Sequence, residues 1–225
     1  MKKMLCVLMI FFLCWCSVGT LAETDVSTMP LEELYALRIE INNEIAARRQ
    51  AEYATLEGKT IAELFPDTWI AGHIRDELGK FSTSDIVTQE ELDTITQFRV
   101  NGQTVDHIQV TTLEGLQYLR CLKRLEINNQ ENITEIPEWV GTLVNLTFLE
   151  FRYCPIVTVP DCICNLTELR TLNFFGSDIQ GLPEDIGNLI NLENIDIAHT
   201  QITKLPASIY NLTLKSFDRE GLDID

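Results

Sequence analysis

The sequence lacks the residue patterns on which most catalytic and metal sites depend. It holds three histidines, His73, His107 and His199, and none stands at a ligand-like spacing from Cys154. A metal site needs several converging Cys or His ligands, so we expect none here. No Ser/His/Asp, HExxH, GxSxG or phosphate-loop pattern occurs either. The sequence therefore predicts a protein that is not an enzyme and that holds no metal or other cofactor.

Positive charge is also scarce. The chain has 17 lysines and arginines against 34 aspartates and glutamates, a formal net charge of −17. Binding to phosphates or to an anionic bilayer surface requires basic residues. We therefore expect no nucleic-acid partner and no anionic membrane partner.

Long apolar runs are missing except at the N-terminus. Lys2 and Lys3 precede an apolar run from Met4 to about Val18, and a small residue, Ala22, closes the segment. This order is typical of a secretory signal peptide over residues 1–22. The alternative is a transmembrane anchor, for which about 15 apolar residues are too few. We expect cleavage, export to the medium or the cell surface, and no stable membrane insertion afterwards.

The second half of the chain repeats itself. Four prolines recur at a spacing of 23 residues: Pro137, Pro160, Pro183 and Pro206. Three leucines share that spacing: Leu146, Leu169 and Leu192. Within each copy, alternation such as Leu172-Asn173-Phe174 predicts a short strand with one side in the core. One copy cannot bury its apolar side alone, so the copies are expected to stack.

These copies follow the LxxLxLxx(N/C)xL pattern of the leucine-rich repeat. The pattern predicts an α/β fold over residues 95–225, a solenoid whose curved parallel sheet lines the concave side. The position that normally carries asparagine holds Cys154, then Ser177, then Thr200. We therefore interpret Cys154 as a buried structural thiol rather than a reactive one. Cys162 and Cys164 flank Ile163 on the return segment and are expected to lean outward as free thiols.

Residues 58–94 are predicted to form a helical N-terminal cap that covers one end of the stack. The segment TIAELFPDTWIAGHIRDELGK places its apolar residues largely at helical spacing, and Gly79 is expected to end that helix. Thr88 and Glu91 have the spacing of a capping box at the start of another short helix.

This cap resembles the N-terminal cap of bacterial internalins. The matching residues are Leu64-Phe65-Pro66-Asp67, Ile74-Arg75, Leu78-Gly79-Lys80, Val87-Thr88-Gln89, Glu91-Leu92 and Ile95. The resemblance implies a protein that recognises other proteins, host receptors among them, on its concave face. The repeats differ from internalin repeats, which mostly have 22 residues. The join FRVNGQTVDHIQV is also longer than expected, and its Asn101-Gly102 pair suggests a hairpin turn.

Residues 23–57 lie outside this resemblance and read as an amphipathic helical segment. Pro30 suits the first turn of a helix. An apolar stripe follows at helical spacing: Leu31, Leu34, Leu37, Ile41 and Ile45. This helix would pack on the cap, self-associate or act as a stalk, and we favour packing or weak association.

The expected binding surface is the concave face of the sheet. Its candidate partner-binding residues are Glu126, Phe148, Glu150, Arg152, Tyr153, Asn173, Phe175, Asp196 and His199. Neighbouring repeats are expected to bring Arg152 beside Phe175, in one aromatic cluster with Phe148 and Tyr153. An aromatic cluster with an arginine, ringed by acids, has the composition of an interaction hot spot. Against this, an isolated surface aromatic is common and has little meaning.

Together these features predict a secreted or cell-surface module that binds a protein partner through its concave face. One alternative is a structural or adhesive surface component that acts by self-association. Another is a glycosylated eukaryotic ectodomain or inhibitor, because four asparagines begin Asn-x-Thr: Asn132, Asn145, Asn165 and Asn211. The NLT triplets, however, also arise from the repeat pattern itself. The sequence indicates neither the partner nor the oligomeric state.

Overall fold

A computed structural model of the chain describes residues 56–103 and 107–222. The predicted leader, residues 1–22, and nearly all of the predicted helical segment, residues 23–57, lie outside this part. The chain divides into two compact units, Met1–Glu57 and Gly58–Asp225, and the fold below is that of the second. No helix in the described ranges combines the length and apolar character needed to cross a bilayer.

Three short helices open the second unit. They are α1 (Ile61–Leu64), α2 (Thr68–Glu77) and α3 (Gln89–Leu92). The predicted capping box at α3 is present, because Thr88 and Glu91 bond each other's backbone N–H groups. A second capping box, between Thr60 and Glu63, starts α1. Helix α2 ends just before Gly79, which takes the left-handed conformation with φ of 64°.

Asp67 ties the helices to the segment that leads into the repeats. Its Oδ1 accepts the N–H groups of Trp69 and Ile70, both at 3.0 Å, and so caps α2. Its Oδ2 accepts from the backbone N and the Oγ1 of Thr111, at 2.8 and 2.9 Å. One buried carboxylate therefore satisfies four donors from two distant segments, as a buried charge requires.

The helices are followed by a six-stranded parallel sheet in sequence order. Its strands are β1 (Gln97–Asn101), β2 (Arg124–Asn128), β3 (Phe148–Arg152), β4 (Thr171–Asn173), β5 (Asn194–Asp196) and β6 (Ser216–Asp218). This architecture confirms the predicted α/β leucine-rich repeat solenoid with an N-terminal cap. The three helices lie within residues 58–94 and the six strands within 95–225, although the domain boundaries themselves stay predictions.

The hairpin suggested at Asn101-Gly102 is wrong. Strand β1 runs parallel to β2, with Phe98 opposite Leu125, so it is already a strand of the solenoid. Parallel strands need a crossover connection and cannot be joined by a tight turn. Gly102 instead donates its N–H to the carbonyl of Asn128 at 2.9 Å, which extends the pairing past the end of the strand.

The sheet carries two columns of apolar side chains on its core side. In register, one column holds Leu125, Leu149, Leu172 and Ile195, and the other holds Ile127, Phe151, Phe174 and Ile197. All eight are at most 1% exposed. The rings of Phe151 and Phe174 stack with centroids 6.5 Å apart. Each repeat thus buries its apolar face against its neighbours, as the period predicts.

The return segments form 3-10 helices. They are Leu116–Tyr118, Glu138–Thr142, Asp161–Asn165, Ile186–Asn188 and Ala207–Asn211. Pro137, Pro160 and Pro206 stand immediately before three of them, so these prolines start the return segment.

The prediction that both thiols of the return segment lean outward is wrong for Cys164. Cys164 is 5% exposed, whereas Cys162 is partly exposed. The tight winding of a 3-10 helix turns two adjacent residues, Ile163 and Cys164, toward the core. Both cysteines are free thiols.

Cys154 occupies a hydrogen-bonded ladder, as predicted. Its Sγ donates to the carbonyl of Ile127 at 3.3 Å, and its backbone N–H donates to Ser177 Oγ at 3.1 Å. One repeat further on, Ser177 Oγ donates to the carbonyl of Phe151 at 2.7 Å. The thiol and the hydroxyl therefore perform the same task in successive repeats, which confirms the structural interpretation of Cys154.

We expect Leu172→Ala to lower the free energy of unfolding by about 3 kcal/mol, because a fully buried leucine leaves a cavity between two repeats. Urea unfolding followed by circular dichroism measures this change. Val144→Ala is the matched control, since Val144 is 45% exposed. Equal stability of the two variants would contradict the assignment of Leu172 to the core.

Candidate functional site

The candidate site lies on the side of the sheet that faces away from the core. We call this the open face. The nine predicted binding residues lie on β2, β3, β4 or β5, or within three residues after the end of one of these strands. Contacts place eight of them in three groups, each described in turn below, and the ninth, Asp196, lies next to the third group. Whether they contact a partner stays a prediction.

The first group surrounds Phe148 at the start of β3. The guanidinium of Arg124 lies 3.5 Å from the centre of the Phe148 ring. Glu126 Oε1 lies 2.6 Å from Arg124 Nε and 3.2 Å from Arg99 Nε. The Phe148 ring, the carboxylate of Glu126 and the two guanidinium groups are therefore already paired within the protein. The sequence placed Phe148 in one aromatic cluster with Phe175, but the structure puts it in a separate group.

Glu150, in the middle of β3, is not one of the exposed acids expected around the site. It is 7% exposed, and its two carboxylate oxygens accept from Asn128 Nδ2 at 2.6 Å and Asn173 Nδ2 at 3.1 Å. These asparagines come from the two flanking strands. Glu150 therefore links three strands, and Asn173 belongs to that link rather than to a free surface.

The third group, which we call the aromatic group, consists of Arg152, Tyr153, Phe175 and His199. The Phe175 ring is at the centre, with Tyr153 at 5.3 Å and His199 at 5.1 Å, both edge-to-face. The Arg152 guanidinium lies 5.0 Å from the Phe175 centroid and 5.7 Å from that of Tyr153. The sequence predicted that Arg152 lies beside Phe175, and this juxtaposition is confirmed.

Tyr153 and His199 share an unusual backbone conformation. Their φ angles are 51° and 56°, in the left-handed region that disfavours large side chains. The equivalent position holds Asn129 in β2's repeat and glycines, Gly176 and Gly221, in the repeats of β4 and β6. Large and small residues thus alternate along this column. The sequence signal was Gly176 and Gly221, whose position predicts a positive φ.

The alternation lets each ring lie over the glycine of the next repeat. A methyl group added at Gly176 would lie 2.6 Å from Cδ1 and Cε1 of Tyr153. One added at Gly221 would lie 2.9 Å from Nδ1 of His199. The rings therefore extend across the sheet, and this packing offsets part of the backbone strain.

Two aspartates lie next to the aromatic group, and the sequence identified only one of them. Asp196 on β5 stands opposite Asp218 on β6 in the register. Burial raises the pKa of the Asp196 carboxyl, and the charge of Asp218 adds to that effect, while Arg152 opposes it. Asp218 follows Asp196 by one repeat, which is the signal that could have found it.

The thiols of Cys154, Cys162 and Cys164 offer no reactive group. Burial raises the pKa of Cys154 to about 11 and the pKa values of Cys162 and Cys164 to about 12. A thiol is nucleophilic and metal-binding only as the thiolate. Within residues 56–103 and 107–222, no group of three or more His, Cys, Asp or Glu residues is arranged to hold a metal ion.

Comparison with known proteins identifies the cap. Residues 49–93 match a family described as "Bacterial adhesion/invasion protein N terminal". Internalin C of Listeria monocytogenes is 35% identical over 69 residues, which are 31% of this chain and 22% of that protein. Internalin H of the same species is 40% identical over 68 residues, 30% of this chain and 12% of that protein. The matched region thus spans less than a quarter of either relative.

Solved structures agree on the fold. A crystal structure of an internalin from Listeria monocytogenes superposes with a TM-score of 0.55 at 24% identity and covers 69% of this chain and 57% of its own. A plant ice-binding protein superposes with a TM-score of 0.51 at 18% identity. Similarity at this level of identity supports the leucine-rich repeat architecture and says nothing of a partner.

We expect Gly176→Ala to lower the free energy of unfolding by about 1–2 kcal/mol, because alanine is strained at a φ of 68° and its methyl group meets the Tyr153 ring. Gly181→Ala is the control, since Gly181 has no atom within 4 Å of the added methyl. Chemical unfolding of both variants tests this. A loss no larger at Gly176 than at Gly181 would contradict the packing of Tyr153.

Near neutral pH, alkylation of the native protein should leave the buried Cys154 and Cys164 unmodified, while the partly exposed Cys121 reacts. The two buried thiols should react once urea unfolds the chain. Because the folded pKa of Cys154 is raised, its contribution to stability is complete below about pH 9 and declines toward pH 11. Peptide mapping by mass spectrometry measures the alkylation, and labelling of Cys154 in the native protein would contradict its structural role.

Proposed function

We propose that this internalin-like leucine-rich repeat protein is an exported module that binds a protein partner on its open face through the aromatic group. The open face is the concave side of the predicted solenoid. The observation that carries the proposal is the contact of three rings, Tyr153, Phe175 and His199, two of them on backbone positions that favour glycine. Glycine and asparagine are the usual residues at such positions.

The contacts of the open face single out the aromatic group. Phe148 is covered by Arg124, and Glu126 is neutralised by two arginines. By contrast, Tyr153 is 46% exposed and His199 is also exposed. Interfaces obtain most of their binding energy from a few aromatic and arginine residues that lose water on binding. The aromatic group has this composition, and two of its rings are exposed, whereas the ring and the charges around Phe148 are already paired within the protein.

The family match supports export and a protein partner. The matching family is described by adhesion and invasion, activities that take place at the surface of a bacterium. The leader predicted at residues 1–22 and the lack of a spanning helix in the described residues agree with a secreted or surface location. A host protein is therefore the first class of partner to test, and proteins of neighbouring cells are the second.

The two alternative functions have less support. Internalins C and H, the two relatives described above, are bacterial, which disfavours a eukaryotic ectodomain. Asn145, in one Asn-x-Thr triplet, donates its side-chain amide to the carbonyl of Arg120 at 2.9 Å, so the scaffold uses the group that a glycan would modify. Self-association through residues 23–57 is tested by sedimentation of the exported chain with and without that segment.

Phe175→Ala should reduce partner capture about 30-fold or more, the loss typical of a central aromatic anchor. The bait is the exported chain immobilised on beads, and the prey is a labelled extract of host-cell surface proteins. Unfolding by urea should change less than for Leu172→Ala, because Phe175 is partly exposed.

Two controls accompany this measurement. Tyr210→Ala removes an aromatic side chain that is 77% exposed on the last 3-10 helix, away from the sheet. Phe148→Ala removes the ring at the other end of β3. Both variants should capture the partner normally. Full capture by Phe175→Ala, or equal losses in all three variants, would refute the proposed site.

A further inference from the structure

We propose that the partner places a lysine or arginine side chain against Asp196 and Asp218, alongside the aromatic group. This inference rests on the proposed function and names the chemistry of its ligand. It assigns a binding role to the far end of the open face, where β5 and β6 carry carboxylates at the same strand position.

Charge compensation differs between the two ends of the open face. Glu126 has two arginines within 3.2 Å, and Glu150 has two amide donors. Asp196 and Asp218 stand opposite each other on adjacent strands. Within the described part of the chain, neither forms a salt bridge of 4.0 Å or less with any cation. Two like charges in adjacent strands repel each other, so a cation supplied from outside would be favoured.

The basic side chains around this pair of aspartates contact other groups. Arg152 lies over the rings of Phe175 and Tyr153, and Arg219 lies 5.7 Å from the ring of Phe217. Lys215 pairs with Glu193 at 2.7 Å. Arg152 partly offsets the charge of Asp196, but the two aspartates and Glu150 still give this area three carboxylates for one arginine.

The structural role of the two aspartates does not require their charge. Asp196 Oδ1 accepts the N–H of Ala198 at 3.2 Å, and Asp218 Oδ1 accepts that of Glu220 at 3.1 Å. These bonds turn the chain at the end of each strand. In β4 an uncharged residue, Asn173, forms the same bond to Phe175 at 2.9 Å. A carboxamide is therefore sufficient for the turn, and the negative charges at β5 and β6 remain to be explained.

The aromatic group provides the other half of a site for a basic side chain. Phe175 lies two residues after Asn173, the last residue of β4. It contacts His199, which lies three residues after Asp196, the last residue of β5. Lysine and arginine have long apolar stems that lie along aromatic rings while the charged end reaches a carboxylate. The juxtaposition of rings and uncompensated carboxylates thus fits a basic residue better than an acidic or purely apolar one.

The test uses short peptides displayed on phage and selected on the immobilised exported chain. The strongest binder is synthesised with its basic residues and again with each replaced by glutamine. Calorimetry measures both peptides against wild type, Phe175→Ala, the pair Asp196→Asn with Asp218→Asn, and the control pair Glu168→Gln with Glu184→Gln. The control removes the same charge from exposed positions outside the strands.

We expect selection of peptides rich in lysine or arginine. Their affinity should fall about tenfold or more in the Asp196→Asn, Asp218→Asn protein and stay unchanged in the control pair. The glutamine peptide should bind both proteins equally weakly, since the lost interaction is the same one.

Other outcomes separate the two proposals. Binding lost in Phe175→Ala but kept in the aspartate variant would overturn the basic-residue inference and leave the open-face function standing. Selection of acidic peptides that depend on Arg152 would also overturn it. Binders unaffected by Phe175→Ala, or no binder at all, would count against both proposals.

Discussion

The register of the six parallel strands is the constraint on which the rest of the structure depends. Because each strand pairs with the next at the same position, side chains one repeat apart form columns. Two columns of leucine, isoleucine and phenylalanine fill the core, and Cys154, Ser177 and Thr200 form a polar column beside them. The open face is organised in the same way. The contacts of a side chain on the open face therefore depend as much on its neighbours in the column as on its neighbours in the chain.

The third strand position shows how one column controls both structure and surface. Where it holds a glutamate, in β2 and β3, the strand has five residues; where it holds Asn173, Asp196 or Asp218, it has three. The shorter side chains accept a hydrogen bond from the backbone N–H two residues later and so turn the chain. The glutamate side chain is too long to form this local bond in place of strand pairing. Phe175 consequently leaves the sheet in a turn, where its ring meets Tyr153 and His199.

The period of 23 residues was sufficient to predict the fold, both core columns, the structural thiol and the pairing of Arg152 with Phe175. It could not predict that Arg124 covers Phe148 or that Glu150 is buried, because those outcomes depend on which side chains adjacent strands happen to carry. Asp218 was missed because the repeat pattern weakens after Phe217. The outward placement of Cys164 was wrong because adjacent residues of a 3-10 helix are about 120° apart around its axis, not about 180° as in a strand, so Ile163 and Cys164 both reach the core.

In the column of left-handed residues, the residue types that favour folding differ from those that the proposed binding site uses. Folding favours glycine or asparagine at such positions, and the chain has these at Asn129, Gly176 and Gly221. Tyrosine and histidine at the two remaining positions cost backbone energy that packing on the neighbouring glycines offsets only in part. Both rings contact Phe175, and both stay exposed. These contacts and this exposure are the features on which the proposed binding site rests.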